Sequence, residues 1–375
     1  MKIVVDEKIP FIRGVFEPWA DVVYSPGRAI DAAMVADADA LITRTRTRCD
    51  STLLKNSSVK IIASATIGYD HLDTGWLDSK GIRWVNAPGC NSGSVMQYMV
   101  SVLLFLAGKH SLDLSSMTLG VVGVGNVGSK VVRAARSLGM KVLQNDPPRQ
   151  RREQLTDFLP LETLVAESDI LTLHVPLTHE GEDSTFHLVN SSNLSRLKKN
   201  CILVNTSRGA VADNAALRET LSDRNLLAAV LDVWEGEPEV DRRLLELSDI
   251  ATPHIAGYSV DGKANATINS VREVSSILGL PLTDWRPDTL PEPAEPVINL
   301  TSEPHGKTTA DLVSTAVRHT FPVEDDDRLF RSEPGNFEYL RDNYRVRREF
   351  SSYTVRTNDR EAAAILSALG FDVNE

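Results

Sequence analysis

The chain has 375 residues, too many for one ordinary core, so two or three domains are expected. Hydrophobic residues make up 42% and charged residues 24%, a globular composition that argues against disorder. A formal net charge of -11 disfavours nucleic acid as a partner, since that needs a basic face. Cys49, Cys90 and Cys201 are odd in number and form no CxxC pair, so neither a metal site nor a disulfide framework is expected. Cys90 sits in a Pro-Gly-Cys-Asn turn and reads first as a small buried thiol.

Met1 to Glu7 reads as a strand and not as a signal peptide, so a cytoplasmic location is expected. Short strands are predicted at Ile3–Val5, Ala40–Thr43, Ile61–Ala65 and Trp84–Asn86, with helices beginning near Pro10, Asp50 and His71. The apolar run Val95 to Gly108 contains Gln97 and is too short to span a bilayer; it reads as a buried helix over Ser94–Lys109. A more regular series follows. Its strands are Leu119–Gly123, Lys141–Asn145, Ile170–His174, Ile202–Asn205, Ala228–Val233 and Ile250–Thr252. Helices fit the gaps at Val127–Leu138, Leu161–Glu167 and Asn214–Ser222, and a further one runs from about Gly262 to Leu278. Strands alternating with helices imply parallel sheets covered on both faces. Pro281 to Pro296 is a stiff linker. Beyond it, strands at Val297–Leu300 and Phe350–Arg356 and helices at Thr308–His319 and Asp359–Leu369 are predicted. Arg341, Arg345, Arg347 and Arg348 form a basic knot whose first reading is a solvated face.

Gly123, Gly125 and Gly128 spell G-x-G-x-x-G between a strand and a helix. Gly123 permits the tight turn, Gly125 lets the backbone approach a pyrophosphate, and Gly128 lets helix and strand pack closely. The helix N-terminus then presents N–H groups and the positive end of its dipole to the anion. Asp146 ends the next strand, where a carboxylate can bind the ribose hydroxyls and repel a 2'-phosphate; this favours NAD. Arg149, Arg151 and Arg152 pull the other way. The alternative is a purely structural glycine turn.

Hydride transfer from a hydroxyl-bearing carbon needs a base, a cation for the substrate carboxylate, and a carboxylate to hold the base. Three strand ends offer them: Arg208 in Asn205-Thr206-Ser207-Arg208-Gly209, Glu237 in Asp232-Val233-Trp234-Glu235-Gly236-Glu237-Pro238, and His254 in Thr252-Pro253-His254. Each follows an apolar strand and so lies at the carboxyl edge of the sheet, where such folds bind ligands. Taken singly, each is as well read as a surface charge or a loop residue. Together, behind a dinucleotide fingerprint, they define a catalytic set.

The order of these motifs resembles the D-isomer-specific 2-hydroxyacid dehydrogenases, and the resemblance extends over essentially the whole chain. Further matching residues are Asp6-Glu7, Arg28, Ala38-Asp39-Ala40-Leu41, Thr66-Ile67-Gly68-Tyr69-Asp70-His71, Ala87-Pro88-Gly89-Cys90-Asn91 and Gly257-Tyr258. The resemblance implies that Arg208 and Glu237 are the active-site pair and His254 the proton donor in the reducing direction. It implies NAD contacts at Asn126, Val127, Asp146, Val175, Thr206, Ser207, Arg208, Asp232 and Gly257, beside the glycines. It implies substrate contacts at Thr45, Thr66 and Tyr258. Position 45 is Thr where the family pattern has Ser, which keeps the hydroxyl. Position 175 is Val where it has Thr, which leaves only backbone for the cofactor. The substrate implied is a small phosphorylated 2-hydroxy acid. Arg44 and Arg46, with Arg48, are candidates for its phosphate, since extended chain would place them on one face. Arg345, Arg347 and Arg348 are a second set.

The expected architecture is α/β: two doubly wound, Rossmann-like domains with a cleft between them, plus a small C-terminal α+β dimerisation domain. The substrate domain comprises 1–93 and 253–285, the NAD domain 94–252, and the dimerisation domain 286–375. A homodimer is expected, with no membrane partner. Other dehydrogenases of this class, acting on phosphoglycerate, glycerate or lactate, remain alternatives. So does a non-catalytic NAD-sensing scaffold of the corepressor type.

Overall fold

A computed structural model describes residues 1–302 and 306–374. Two compact units result: Met1–Asn91 with Ser259–Pro291, and Ser92–Tyr258 with Glu292–Glu375.

The first unit is built on five parallel strands: β1 (Lys2–Asp6), β2 (Asp21–Ser25), β3 (Ala40–Thr43), β4 (Ile61–Ser64) and β5 (Arg83–Val85), in the order β2-β1-β3-β4-β5. Alternate side chains fill opposite faces, as strand geometry requires. Ile3, Val5, Ala40, Ile42, Ile61 and Ala63 pack with Val271 and Val274. Val4, Leu41 and Ile62 pack with Val35, Leu54 and Leu77. One expectation fails here, and one strand escapes the sequence pattern. No helix begins near Pro10: residues 7–20 form turns, because Pro10 and Pro18 lack N–H donors and Gly14 takes φ +84°. The chain then enters β2, an edge strand whose residues are mostly only half-buried, so it shows neither a fully apolar run nor a clean alternation.

The second unit holds six parallel strands: β6 (Thr118–Val122), β7 (Lys141–Asn145), β8 (Ile170–Leu173), β9 (Ile202–Asn205), β10 (Ala228–Leu231) and β11 (Ile250–Ala251), in the order β11-β10-β9-β8-β6-β7. One face packs on two helices, α1 (Ser92–His110) and α2 (Gly128–Ser137), through Leu119, Val121, Val204 and Val230 against Val102, Leu106 and Val131. The other buries Leu171, Leu173, Leu203 and Leu231 against Leu164, Leu217 and Leu244. From β6 the chain moves to β7 on one side and β8 on the other. This switch point opens a crevice at the carboxyl edge. Pro147 and Pro148 open a short helix capped by Asp146.

The C-terminal residues pack within this second unit. Strands β12 (Val297–Asn299), β13 (Thr354–Arg356) and β14 (Asp372–Asn374) form a small parallel sheet. Val313, Val317, Val355 and Leu366 close a core over Val100 of α1 and Ala134 of α2. Two helices here, α3 (Val323–Ser332) and α4 (Phe337–Asp342), escape the sequence pattern. The buried stripe of α3 is Val323, Asp326 and Phe330, so a carboxylate interrupts its apolar period. Asp326 is buried because Tyr344 Oη (2.7 Å) and Arg345 (3.0 Å) donate to it. The basic knot is not a solvated face: Arg347 and Arg348 are buried. The unit boundary falls after Tyr258 and not at 252/253, because residues of the second unit hold the His254 loop. No helix of the described residues is long and apolar enough to cross a membrane.

Candidate active site

The glycine turn leaves β6 at Gly123, whose φ of +86° favours glycine. A Cβ there would lie 2.7 Å from Val175 Cγ1 and 2.8 Å from the His174 backbone. A Cβ on Gly128 would lie 2.0 Å from Gly123 O, so the helix can touch the turn only because Gly128 lacks a side chain. Gly125 differs: a Cβ there would meet nothing within 4 Å. That open face is where the backbone can receive a phosphate. α2 starts at Gly128 with no side-chain cap on its first N–H groups.

Asp146 Oδ2 accepts from Val124 N at 2.8 Å and Oδ1 from Arg149 N at 3.0 Å, which ties the carboxylate to the turn. The three neighbouring arginines face acids: Arg149 and Arg152 face Glu153 at 2.9 and 2.7 Å, and Arg151 faces Asp183. Their charge is thus balanced locally, which removes the pull toward a 2'-phosphate. The open Gly125 face, the uncapped helix and the Asp146 carboxylate together fit a dinucleotide. Val175 contributes an apolar wall beside Gly123. Thr206 Oγ1 lies 3.3 Å from His174 Nδ1, and Thr172 Oγ1 lies 3.0 Å from its Nε2; burial pushes His174 down to about 3, so the ring is neutral.

β9, β10 and β11 are neighbours, so the loops after them converge. Asn205 shapes the first: its Oδ1 accepts from Ser207 N (3.1 Å) and Oγ (2.8 Å), and its Nδ2 donates to Arg208 O (2.9 Å). Gly209 then lies on the Trp234 backbone; a Cβ would approach Trp234 C to 2.0 Å. Only glycine lets the Arg208 loop touch the Glu237 loop. Trp234 N donates to Glu237 Oε1 (2.8 Å), and Trp234 Nε1 donates to Thr252 O (3.0 Å).

Glu237 Oε2 lies 2.8 Å from His254 Nδ1. Burial alone would raise the Glu237 carboxyl; the facing His254 and the Trp234 N–H outweigh it and hold it below the usual carboxylate range. His254 takes φ +57°, an uncommon conformation for a non-glycine residue. Asp232 holds it there. His254 N donates to Asp232 O (2.7 Å), while the Asp232 carboxylate accepts from Thr252 Oγ1 (2.7 Å), Ile255 N (2.7 Å) and Ala256 N (2.9 Å). Burial pushes the Asp232 carboxyl up, against those bonds and the charge of His254.

A residue outside the expected catalytic set completes the support. Arg347 is 2% exposed and donates to Ile255 O (3.2 Å), Ala256 O (2.7 Å), Ser94 O (2.6 Å) and Gln97 Oε1 (3.1 Å). The basic knot was the only sequence signal for it, and arginines sit on surfaces by default.

Thr45, Thr66, Arg44 and Arg46 lie in the first unit, at the carboxyl ends of β3 and β4. Residues 44–48 are not extended: Thr47 N bonds back to Arg44 O at 3.4 Å, so the three arginines do not line one face. Arg44 Nε lies 3.1 Å from buried Asp6, and Arg48 lies 3.5 Å from Asp50. Thr66 Oγ1 lies 2.8 Å from Ser64 Oγ.

Residues 106–256 match the NAD-binding domain of the D-isomer specific 2-hydroxyacid dehydrogenases, and residues 290–370 match a domain of unknown function, DUF3410. The D-lactate dehydrogenase of Aquifex aeolicus, solved with NAD and lactic acid, superposes with a TM-score of 0.63 at 25% identity, over 74% of this chain and 96% of that one. The fold and the matched domain define an NAD-dependent dehydrogenase. An erythronate-4-phosphate dehydrogenase of Bacteroides fragilis is 48% identical over 95% of this chain and 99% of its own length. Another, of Photorhabdus laumondii, is 43% identical over 99% of each. The chain belongs to the D-isomer specific 2-hydroxyacid dehydrogenase family, on the branch of these erythronate-4-phosphate dehydrogenases.

Proposed function

We propose that this enzyme oxidises 4-phospho-D-erythronate at C2 to 3-hydroxy-2-oxo-4-phosphonooxybutanoate, a step of pyridoxal 5'-phosphate (vitamin B6) synthesis. The observation that carries the chemistry is the 2.8 Å contact between Glu237 and His254 Nδ1, which directs Nε2 to the substrate. The relatives, named for erythronate 4-phosphate and matched along their length, supply the substrate.

NAD, when bound, supplies the hydride acceptor. His254 Nε2 takes the proton of the C2 hydroxyl. Glu237, held ionised, stabilises the imidazolium through Nδ1–H. Arg208 holds the substrate carboxylate with its guanidinium fork. Gly123, Gly125, Asn126, Val127 and Gly128 receive the pyrophosphate, and Asp146 the ribose. Val175, Thr206, Ser207, Asp232 and Gly257 complete the cofactor contacts. Thr45, Thr66, Tyr258, Arg44 and Arg46 contact the substrate; Arg44 does so with part of its charge balanced by Asp6. The C-terminal segment makes a homodimer, and the enzyme works in the cytoplasm.

The test is NADH formation with 4-phospho-D-erythronate beside 3-phosphoglycerate, D-glycerate and D-lactate. A parallel set includes a 2-oxo acid acceptor to recycle retained NADH. Preference for phosphoerythronate is expected. Preference for another acid would keep the mechanism and discard the substrate. No turnover with any acid despite bound NAD would favour the NAD-sensing scaffold.

A further inference from the structure

The basic knot of the C-terminal segment holds four arginines, and three have structural work. Arg345 pairs with Asp326 at 3.0 Å. Arg347 holds four backbone and amide oxygens around the His254 loop. Arg348 is buried, and its carbonyl accepts from Gln97 Nε2 at 2.9 Å. Arg341 is different. Its Nε is buried and donates to no described residue. No ion pair among the described residues involves it.

Its position is defined by two rings. The guanidinium carbon lies 5.3 Å from the Tyr258 ring centroid and 5.6 Å from that of Phe337. Tyr258 belongs to the loop that carries His254. Phe337 is 2% exposed and packs on Phe330 (5.8 Å between centroids), which packs on Trp234 (6.1 Å) beside Glu237. The helix bearing Arg341 is therefore seated on both catalytic loops. Its charge also reaches Glu237, as one of the influences that lower that carboxyl.

A buried N–H of a charged group with no acceptor is rare in a native fold, since the desolvation of that donor goes uncompensated until a ligand completes it. A guanidinium lying against ring faces keeps its N–H donors in its own plane, which suits an oxyanion with several acceptor oxygens. A phosphate matches that fork.

We propose that Arg341 binds the phosphate group of the substrate, so that the C-terminal segment sets the substrate class. The assignment rests on the proposed function, in which the substrate is a phosphorylated 2-hydroxy acid. It gives the matched domain of unknown function a part in specificity beside its role in assembly.

The experiment compares the wild-type enzyme with Arg341→Gln and Arg341→Lys on 4-phospho-D-erythronate and on unphosphorylated D-erythronate, and measures competitive inhibition by inorganic phosphate. Thermal shift with NAD checks that each variant is folded. For Arg341→Gln, KM for the phosphorylated acid should rise on the order of 10- to 100-fold. The kcat/KM for D-erythronate should fall far less than that for the phosphorylated acid. Phosphate inhibition should weaken in step, and Arg341→Lys should recover part of each loss. An equal loss on both acids would overturn the assignment and make Arg341 a positioning residue for Glu237. If the wild type turned over no phosphorylated acid, the proposed function would fall by itself. The phosphate-inhibition arm would then decide Arg341: an unchanged inhibition constant overturns it.

Discussion

Each of the two large sheets carries a buried aspartate at its carboxyl edge, and the two aspartates do different things. Asp6, the last residue of β1, accepts from Lys8 N (2.9 Å) and from Arg44 Nε (3.1 Å). It balances a side-chain charge. Asp232, just past β10, directs its carboxylate to the Ile255 and Ala256 amides and to Thr252 Oγ1. It fixes a backbone. The same topological place thus serves charge balance in one unit and loop geometry in the other. A group that must move a proton needs a fixed backbone, and a group that only attracts an anion does not.

The strongest way to break this contrast is to remove one side chain from each edge. His254→Ala should lower kcat by about 10²–10⁴-fold while NAD still binds. Thr66→Ala should mainly raise KM. Comparable kcat losses in steady-state assays would mean that both edges carry the chemistry.

Acid should find the first edge through His71. Burial lowers His71 to about 4, with Asp70 opposing, and its Nδ1 is buried without a partner. Its folded pKa lies below the unfolded value near 6.5, so its stabilisation is complete above about pH 6.5 and is lost as pH falls toward 4. Up to ~3 kcal/mol is at stake. Replacing His71 by Asn should flatten the pH dependence of thermal unfolding over that window.

Asp232→Asn places an NH₂ or a weakened acceptor against two amides, and should cost ~2 kcal/mol in denaturant unfolding and lower kcat. Asp6→Asn keeps an acceptor for only one of its two donors, but Arg44 is partly exposed and can turn to solvent, so the change should cost under ~1 kcal/mol, with kcat intact. Equal costs would erase the distinction. The smallest expected effect is at Gly125. Gly125→Ala meets open space, so stability should hold, while KM for NAD should rise by roughly tenfold as the methyl occupies the phosphate face.

Much of this was legible in sequence. Parallel strands buried on both faces read as apolar runs, and β3, β7 and β9 have the bounds expected for them. The glycine turn announced itself because each glycine has a separate steric reason. Other features were not legible, for identifiable reasons. The edge strand β2 is only half-buried and follows a run of turns, so no buried run or alternation marks it. Helix α3 hides because Asp326 breaks its apolar stripe. Residues 44–48 fold into a turn that no alternation rule foresees. Arg347 is a buried cation whose acceptors come from α1 and the His254 loop, far away in sequence, so nothing local marks it.

Ile255 and Ala256 are gripped from both sides, their amides by Asp232 and their carbonyls by Arg347. The consequence is one of cooperativity. Those two amides cannot exchange with solvent by a small local opening, because the peptide groups on either side are also tied to the C-terminal segment. Their hydrogen exchange should follow the opening of that segment, as one foldon. A nick in the tail would therefore be felt first as a loosened imidazole, while the six-stranded sheet still stood.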